Sequence, residues 1–458
     1  MRPAALEHES FLGAAGGGRP RAYRLPDFVR LRLSGGLEVV LAENHAVPLV
    51  QLHAALPAGV RFEPVGGEGL AALTVSALKE GTLRLDAARI NEAAEESGAD
   101  ILTHADWDMS SVVIELLSPD LAFGVELLFE MLGSPSFPGA ALEALRRRQL
   151  SRLRRQSSAP ADIADHWFAR ALYGESAYGR PLLGRRAALR AIDREAVVGF
   201  HRAHFGLPGM VLVAAGSFSA ERLAGLLEAN SAACSRAAPP APPTIEPAPL
   251  GLTRAFVLDL PHAAQTELRV GHVGVARGHP EFAALQLLSA VLGRRLKRRL
   301  REEQGYTYHL RCRFVSRSCA GPFAVSAGVG NEHAGEAVRE TAREMERLRQ
   351  EPVPAAELDA ARNYLTGVYL RSFQPGHEFV TQLKLLAAHD LADDHFASYL
   401  GGLAGSDAAL LLRLAGRHFH PRGLAVIAAG PAALLRRQLA ECPELIEIEA
   451  GGTGAPYD

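Results

Sequence analysis

The repetition of one pattern in both halves constrains the fold of this chain more than any other feature. The first half closes on FHRAHFGLPGMVLVAAGSF and the second on AGRHFHPRGLAVIAAGP. In each phrase the end of an amphipathic helix is followed by a turn at Pro and Gly and then by a buried strand. Near its start each half also carries an alternating strand, at residues 37–59 and 254–275, followed by a long helical pattern. Duplication of one unit is the simplest explanation.

A Pro-rich segment, AAPPAPPTIEPAPL, separates the two copies. It has no helical or alternating period, which is typical of a semi-rigid extended linker. Several strands joined by short turns and mixed with long helices predict an α+β fold in each copy, an antiparallel-rich sheet packed with helices and not a parallel doubly wound sheet. The sequence thus predicts a flexible N-terminal segment 1–21, a domain 22–236, the linker 237–250, a domain 251–450 and a flexible tail 451–458.

Composition argues against several classes of protein. The 458 residues are 48% hydrophobic and 22% charged, which favours a globular chain over a disordered one. A net charge of −2 provides no strong field for nucleic acid or an anionic membrane. Four scattered cysteines without a C-x-x-C argue against a zinc ribbon and a dense disulfide framework. Because the sequence shows neither a signal-like apolar region nor a transmembrane stretch, we expect a cytoplasmic protein.

The order of the elements carries a family resemblance. A strand, a helix ending in KEGT, a helix at 86–101, a strand at 103–118, the helix ELLFEMLGSPSF and the closing phrase follow one another in the first half. The second half contains AAQTELRVGHVGVARGHPEFAALQLLSAVLG, LREEQGYTY and ELDAARNYLTGVYL. From about Leu25 to Ala429 the chain resembles the pitrilysin-like zinc peptidases, the inverzincins that include the mitochondrial processing peptidase. The resemblance implies two peptidase-like domains.

The resemblance also implies a zinc site whose ligands this chain lacks. Active members carry H-x-x-E-H on the first helix, where two imidazoles share one face and the glutamate between them takes a proton from metal-bound water. GLAALTVSALKEGT, residues 69–82, aligns without a gap and places Ala72 and Ser76 at the histidine positions and Val75 at the glutamate position.

Two further positions of the family site are altered. The third zinc ligand, a glutamate on a later helix, corresponds to Ser151 or Arg152. An edge-strand asparagine that holds substrate backbone in relatives corresponds to Leu102. Four non-coordinating residues at four ligand or base positions predict that this chain binds no catalytic metal and no cofactor of its own.

One motif of the family survives, in the second half. LREEQGYTYHLRC places Arg301 near the C-terminal end of a helix and Tyr308 in the strand after Gly305. In active relatives this pair faces the zinc site across a chamber, where both donors stabilise the oxyanion and hold the peptide. Relatives also carry a Gly/Ser-rich stretch beside the chamber, whereas this chain passes directly from Gly293 to Arg294.

The residues alone leave structural interpretations of this pair open. Burial with period two would explain Tyr308, which shares one strand face with Tyr306, Leu310, Cys312 and Phe314. A solvated face would explain Arg301, because it belongs to a basic run with Arg294, Arg295, Lys297, Arg298 and Arg299.

Other polar clusters favour structural roles. His201 and His204 lack a nearby third ligand, and His418 and His420 lie in the equivalent phrase, so both pairs are interpreted as helix-end residues. AHDLADDH, residues 388–395, is typical of a solvated junction between two helices. Neither glycine-rich end continues into the Lys-Ser/Thr of a P-loop.

The leading hypothesis is a non-catalytic subunit of a heterodimeric zinc metallopeptidase. Family peptidases enclose their substrate with four such domains, and this chain supplies two, so a homologous H-x-x-E-H subunit would bring the zinc. The chain would complete the chamber around an unfolded peptide and contribute Arg301 and Tyr308. The alternative is a non-enzymatic scaffold or peptide-binding protein of the same fold, like the respiratory-complex core subunits. A peptidase with a relocated metal site and a homodimer are further possibilities.

Overall fold

Two six-stranded sheets with the same strand order organise the chain. The computed structural model describes residues 25–247, 251, 253–374, 377–442 and 447–450; the predicted flexible segments 1–21 and 451–458 lie outside the described residues, as do linker residues 248–250. The strands are β1 Val29–Arg32, β2 Glu38–Glu43, β3 Leu49–Leu56, β4 Asp100–Ala105, β5 Ser110–Leu117, β6 Val211–Gly216, β7 Arg254–Asp259, β8 Thr266–Val273, β9 Thr307–Phe314, β10 Pro322–Val329, β11 Ala425–Gly430 and β12 Glu447–Ala450.

The strand order is β1-β2-β6-β3-β5-β4 in the first sheet and β12-β7-β11-β8-β10-β9 in the second. Within each sheet one central pair is parallel, β2 with β6 and β7 with β11, and the following neighbours are antiparallel. The sheets differ at the outer edge, where β1 is antiparallel to β2 and β12 is parallel to β7. Mixed sheets packed with helices confirm the α+β prediction.

Fifteen α-helices surround these sheets in the described residues. They are α1 Leu70–Ala77, α2 Ala87–Glu96, α3 Leu121–Gly133, α4 Gly139–Gln156, α5 Pro160–Tyr173, α6 Arg186–Ala191, α7 Arg194–His204, α8 Ala220–Ser231, α9 Phe282–Leu296, α10 Ala334–Gln350, α11 Ala355–Arg371, α12 His377–Ala388, α13 His395–Gly405, α14 Ala408–His418 and α15 Ala432–Ala440. A π-helix, Lys297–Glu303, continues α9. In this part of the chain we find no helix with the length and apolarity to cross a bilayer.

Several segments differ from their sequence prediction. Residues 37–59 and 254–275 each form two strands, which lie on either side of the strand from the closing phrase. The segment 103–118 contains the end of β4 and all of β5, and the helix predicted to extend to residue 101 ends at Glu96. Nor does β3 alternate, because every residue from Val50 to Leu56 is buried. Strands that are buried on both faces lose the alternating pattern.

The second face of each sheet is covered by a helix from the other half of the chain. Helix α5, from the first half, packs across β8 and β11 of the second sheet. Helix α12, from the second half, packs across β6 and β3 of the first sheet. The contacts are apolar: Phe168 of α5 lies in a cluster with Ile427, and Leu383 of α12 lies in a cluster with Val213. The two halves therefore exchange helices and share two apolar clusters, while the main core of each half is its own.

A buried carboxylate also connects the halves. One Asp108 oxygen accepts hydrogen bonds from the Tyr178 hydroxyl at 2.7 Å and the Arg61 guanidinium at 3.3 Å. The other accepts from the backbone N–H of Ser318, in the second half, at 3.0 Å. The Tyr178 hydroxyl in turn accepts from the backbone N–H of Cys319 at 3.1 Å. This network fixes the loop after β9 to the first half.

We expect Asp108→Ala to lower the free energy of unfolding by about 3 kcal/mol or more, because it removes the carboxylate partner of a buried guanidinium and the acceptor of two further donors. Chemical denaturation of the full chain measures the change. Asp100→Ala, a substitution on an exposed residue of β4, is the matched control and should change stability by less than about 0.5 kcal/mol. Equal effects of the two substitutions would show that the network does not stabilise the contact between the halves.

Candidate functional site

Helix α1 carries Ala72, Val75 and Ser76, the residues that the family resemblance aligns with the H-x-x-E-H positions. Val75 is fully buried, and Ala72 and Ser76 are half-buried. The Ser76 hydroxyl donates a hydrogen bond to the Ala72 carbonyl at 2.7 Å, so it is satisfied within the helix. Without an imidazole or a carboxylate at these positions, the helix does not fit a zinc ion.

Helix α4 packs against α1 and carries Ser151 and Arg152, which the family resemblance aligns with the third ligand. Ser151 and Arg152 are both exposed, and the Ser151 hydroxyl accepts a hydrogen bond from Arg155 at 3.3 Å. Leu102, on the edge strand β4, is 47% exposed. Neither Arg152 nor Leu102 provides the anionic or amide oxygen that the family site uses. At these positions the surface of the first half carries a hydroxyl, a guanidinium and an apolar side chain, and no carboxylate or amide.

A buried glutamate that sequence reasoning missed holds the start of α1. One Glu63 oxygen accepts hydrogen bonds from the backbone N–H groups of Gly69 at 3.0 Å and Ala71 at 2.9 Å. It takes the place of an N-cap side chain, because the N-cap residue is Gly69 with a φ of 100°. Burial raises the pKa of the Glu63 carboxyl to about 8. The sequence signal was the lack of a capping side chain before α1.

Arg301 lies on the π-helix, near its C-terminal end as the sequence predicted. The helical chain passes through Gly293 and Arg294 without the loop that relatives carry there. After the π-helix, Gly305 turns the backbone with a φ of 69°, and the N–H of Tyr306 donates to the Leu300 carbonyl at 2.7 Å. This turn lays β9 against the π-helix. A π-helix is an uncommon conformation that occurs often at functional sites.

A β-bulge directs Tyr308 out of the sheet. In the pairing of β9 with β10, Thr307 lies opposite Val329 and His309 lies opposite Gly328, so Tyr308 has no partner between them. An extra residue of this kind breaks the alternation of faces. Tyr308 is 84% exposed, whereas Leu310 is 3% exposed. The interpretation of Tyr308 as a buried strand residue is therefore wrong.

The basic run divides into two groups with different surroundings. Arg295 is buried and binds Glu357 through two hydrogen bonds at 2.8 and 2.9 Å and Glu344 at 3.3 Å. Arg299 binds Glu303 at 2.9 Å. Arg301 is exposed and has no acidic partner in the described part of the chain. Arg299 and Arg301 are both exposed, as a solvated face predicts, but only Arg299 is ion-paired within the described residues.

The histidine pair near the end of the first half, His201 and His204, is buried among structural neighbours. His201 is buried with its Nε2 atom 2.8 Å from the Leu132 carbonyl, and burial lowers its pKa to about 4. His204 is buried against the rings of Phe62 and Phe200. Residues 388–395 connect α12 to α13, as predicted for a junction between helices. These observations agree with the structural interpretation.

One histidine group resembles a metal site. Potential ligand atoms of His279, Glu281 and His418 lie within 4.8 Å of one another. However, the two Glu281 oxygens each accept a hydrogen bond from Arg417 at 3.0 Å. The guanidinium already neutralises the only carboxylate of this group, so the arrangement is that of an ion-paired helix end. His420 packs beside His272 with ring centroids 4.9 Å apart.

Comparisons with known proteins agree with this fold. The family model described as the peptidase M16 inactive domain matches residues 191–365. An uncharacterized zinc protease of Mycobacterium tuberculosis is 24% identical over 343 residues, which cover 74% of this chain and 78% of that protein. Cytochrome b-c1 complex subunit 1 of Bos taurus is 23% identical over 275 residues, which cover 59% of this chain and 56% of the bovine protein.

A solved structure extends the similarity over most of the chain. A peptidase M16 inactive domain from Pseudomonas fluorescens aligns with a TM-score of 0.82 at 22% identity and covers 88% of this chain and 98% of that one. Similarity at this level of identity concerns the fold, and it includes both halves. These matches confirm the resemblance found in the sequence: the chain has the fold of the solved M16 proteins, and its residues 191–365 match the M16 inactive domain.

Proposed function

We propose that this chain is the non-catalytic subunit of a heterodimeric zinc metallopeptidase and that it presents Arg301 and Tyr308 to a bound peptide. The observation that carries the proposal is a contrast between the two halves. The helix at the family's metal position offers no ligand, whereas a π-helix and a β-bulge expose the two donors of the second half.

Each of the two donors is free to reach a partner molecule. The Arg301 guanidinium provides up to five N–H donors, and the Tyr308 phenol provides one O–H donor. Donors of this kind stabilise a peptide carbonyl oxygen when negative charge develops on it. A second chain with the H-x-x-E-H helix would bring the zinc, and this chain would add its two domains to the chamber wall.

A scaffold or peptide-binding protein without enzymatic function is the second candidate. Its support is the similarity to bovine cytochrome b-c1 complex subunit 1. In such a protein the exposed positions of Arg301 and Tyr308 would have no catalytic consequence. Substitutions that spare the assembly of the complex discriminate between the two candidates.

The test uses the complex of this chain with a homologous H-x-x-E-H chain from the same source. We expect Arg301→Ala and Tyr308→Phe each to reduce the rate of peptide cleavage about tenfold or more, since each removes a donor to the developing oxyanion. Arg298→Ala, on the same π-helix, and Tyr364→Phe, on exposed Tyr364, are matched controls that should retain the rate. Size-exclusion chromatography verifies that each variant assembles.

Unchanged rates in an assembled complex would favour the scaffold. Zinc content and cleavage are also measured for the chain alone, and we expect neither stoichiometric zinc nor activity. Cleavage by the isolated chain that a chelator abolishes would contradict the proposal.

A further inference from the structure

Strand β9 forms an open edge of the second sheet. In the described residues it pairs with β10 alone, so the N–H and C=O groups of its other side are available. Its exposed side chains are Tyr308, His309, Arg311 and Arg313, and the strand has no acidic residue. Positive charge on an edge strand protects the sheet from pairing with another copy of the same edge. The same charge determines which other strand can pair there.

A group of cations gathers beside this edge. We call Arg294, Lys297, Arg301 and Arg311 the basic edge. The pKa of Lys297 is lowered by burial first and then by the charges of Arg301, Arg294 and Arg311, so the other three cations all act on this amine. In the described residues none of the four forms an ion pair with a carboxylate, whereas their neighbour Arg299 does, so the four positive charges repel one another.

The acidic residues nearest in sequence do not neutralise the basic edge. Glu303 binds Arg299 at 2.9 Å and lies 3.8 Å from Arg298, on another side of the π-helix. Glu302 forms no ion pair with the basic edge in the residues that the structure describes. Elsewhere on the same helical segment the cations are paired, since Arg295 binds both Glu344 and Glu357. The basic edge itself has no ion pair in the described residues, whereas Arg313, further along β9, is influenced by Asp165.

A strand added to β9 would pair with its unpaired backbone groups, and its side chains would lie beside the basic edge. Backbone hydrogen bonds to β9 give affinity that does not depend on sequence, and side chains beside the strand give selectivity. A basic strand would be repelled by the four cations, whereas an acidic strand would neutralise them.

We infer that the edge of β9 binds an extended acidic peptide segment, which the basic edge selects by its charge. The inference rests on the function proposed above and names the class of peptide that this chain admits. Lys297 and Arg311 select charge here, while Arg301 and Tyr308 keep the roles already proposed. The two proposals can therefore be tested on different residues.

The first experiment measures binding of labelled peptides to the full chain by fluorescence anisotropy. The probes are three peptides of about eight residues, the length of a typical strand, in which Val and Thr alternate with Glu, Gln or Lys. We expect the Glu peptide to bind roughly tenfold more tightly than the Gln peptide, and the Lys peptide more weakly than either. The preference should shrink between about 50 mM and 300 mM salt, because exposed charges are screened.

Charge-removing variants locate the selectivity. The double variant Lys297→Gln/Arg311→Gln should bind the Glu and Gln peptides with nearly equal affinity. The matched control is Arg436→Gln/Arg437→Gln, which removes the same charge from exposed residues of α15 and should keep the tenfold preference.

Three results would overturn the inference. One is equal affinity of the unmodified chain for the Glu and Gln peptides, and another is no binding of the Glu peptide at about 1 mM. The third is a Lys297→Gln/Arg311→Gln variant that no longer assembles with the H-x-x-E-H chain, which would make the basic edge a contact between subunits. None of these bears on the cleavage rates of the Arg301 and Tyr308 variants, so the proposed function fails or survives separately.

Discussion

Expressed separately, residues 22–236 and 251–450 should aggregate, and expressed together they should purify as one folded complex. The cause is the exchange of α5 and α12. Without the second half, Val40, Val211 and Val213 on the outer face of the first sheet lose the cover of α12. Each such side chain stabilises the fold by about 1.5–3 kcal/mol when buried, so several exposed together exceed the stability of an ordinary domain.

Co-expression of the two fragments, followed by size-exclusion chromatography, tests this expectation. A single substitution in the full chain tests the contact between α12 and the first sheet. Leu383→Ala should lower the free energy of unfolding by about 2–5 kcal/mol, because the Leu383 side chain of α12 is fully buried against that sheet. Leu83→Ala is the control, because Leu83 is 78% exposed. A monomeric 22–236 fragment with a cooperative unfolding transition would contradict the prediction.

The second large effect concerns the pH dependence of stability. The Glu63 carboxyl has a pKa of about 8 in the folded chain and an ordinary value of 4.5. Between these values the folded state keeps a proton that the unfolded state has released, so stability falls as pH rises through this window. We expect Glu63→Gln, whose amide does not ionise, to gain stability relative to the unmodified chain by about 1.4 kcal/mol per pH unit, up to roughly 4 kcal/mol at pH 8.

Thermal unfolding of both proteins between pH 5 and pH 8.5 measures this difference. The control, Glu332→Gln, alters an exposed glutamate and should leave the pH dependence unchanged. If the stability of the unmodified chain and that of Glu63→Gln depend on pH in the same way, then Glu63 has its ordinary pKa in the folded state. Burial of this carboxyl would then not destabilise the fold at neutral pH.

Part of the site was predictable because it depends on local sequence. The helical pattern around Val75 and the lack of ligands on it are visible in one short segment, and α1 forms there. Arg301 near a helix end followed from the apolar period of α9 and from Gly305. Helix periods and turn residues act within a few residues, so a single sequence records them.

The exposure of Tyr308 was not predictable in this way. Alternation along β9 predicts burial, and only the register with β10 inserts the bulge that turns the phenol outward. The division of the basic run depends likewise on Glu344 and Glu357, which lie about fifty or sixty residues further along the chain. Neither pairing leaves a local pattern.

The sequence by itself determined the duplication, the α+β class, the lack of histidine and glutamate on the segment of α1, and the helix that carries Arg301. Only the tertiary structure decided which charges are neutralised, which side chains face outward and which half covers each sheet. The exchange of α5 and α12 shows why: it buries both faces of strands such as β3 and removes the alternation from which a strand's exposed face is predicted. Periodicity reports the local conformation of the backbone, whereas partners far apart in sequence are chosen by packing across the whole chain.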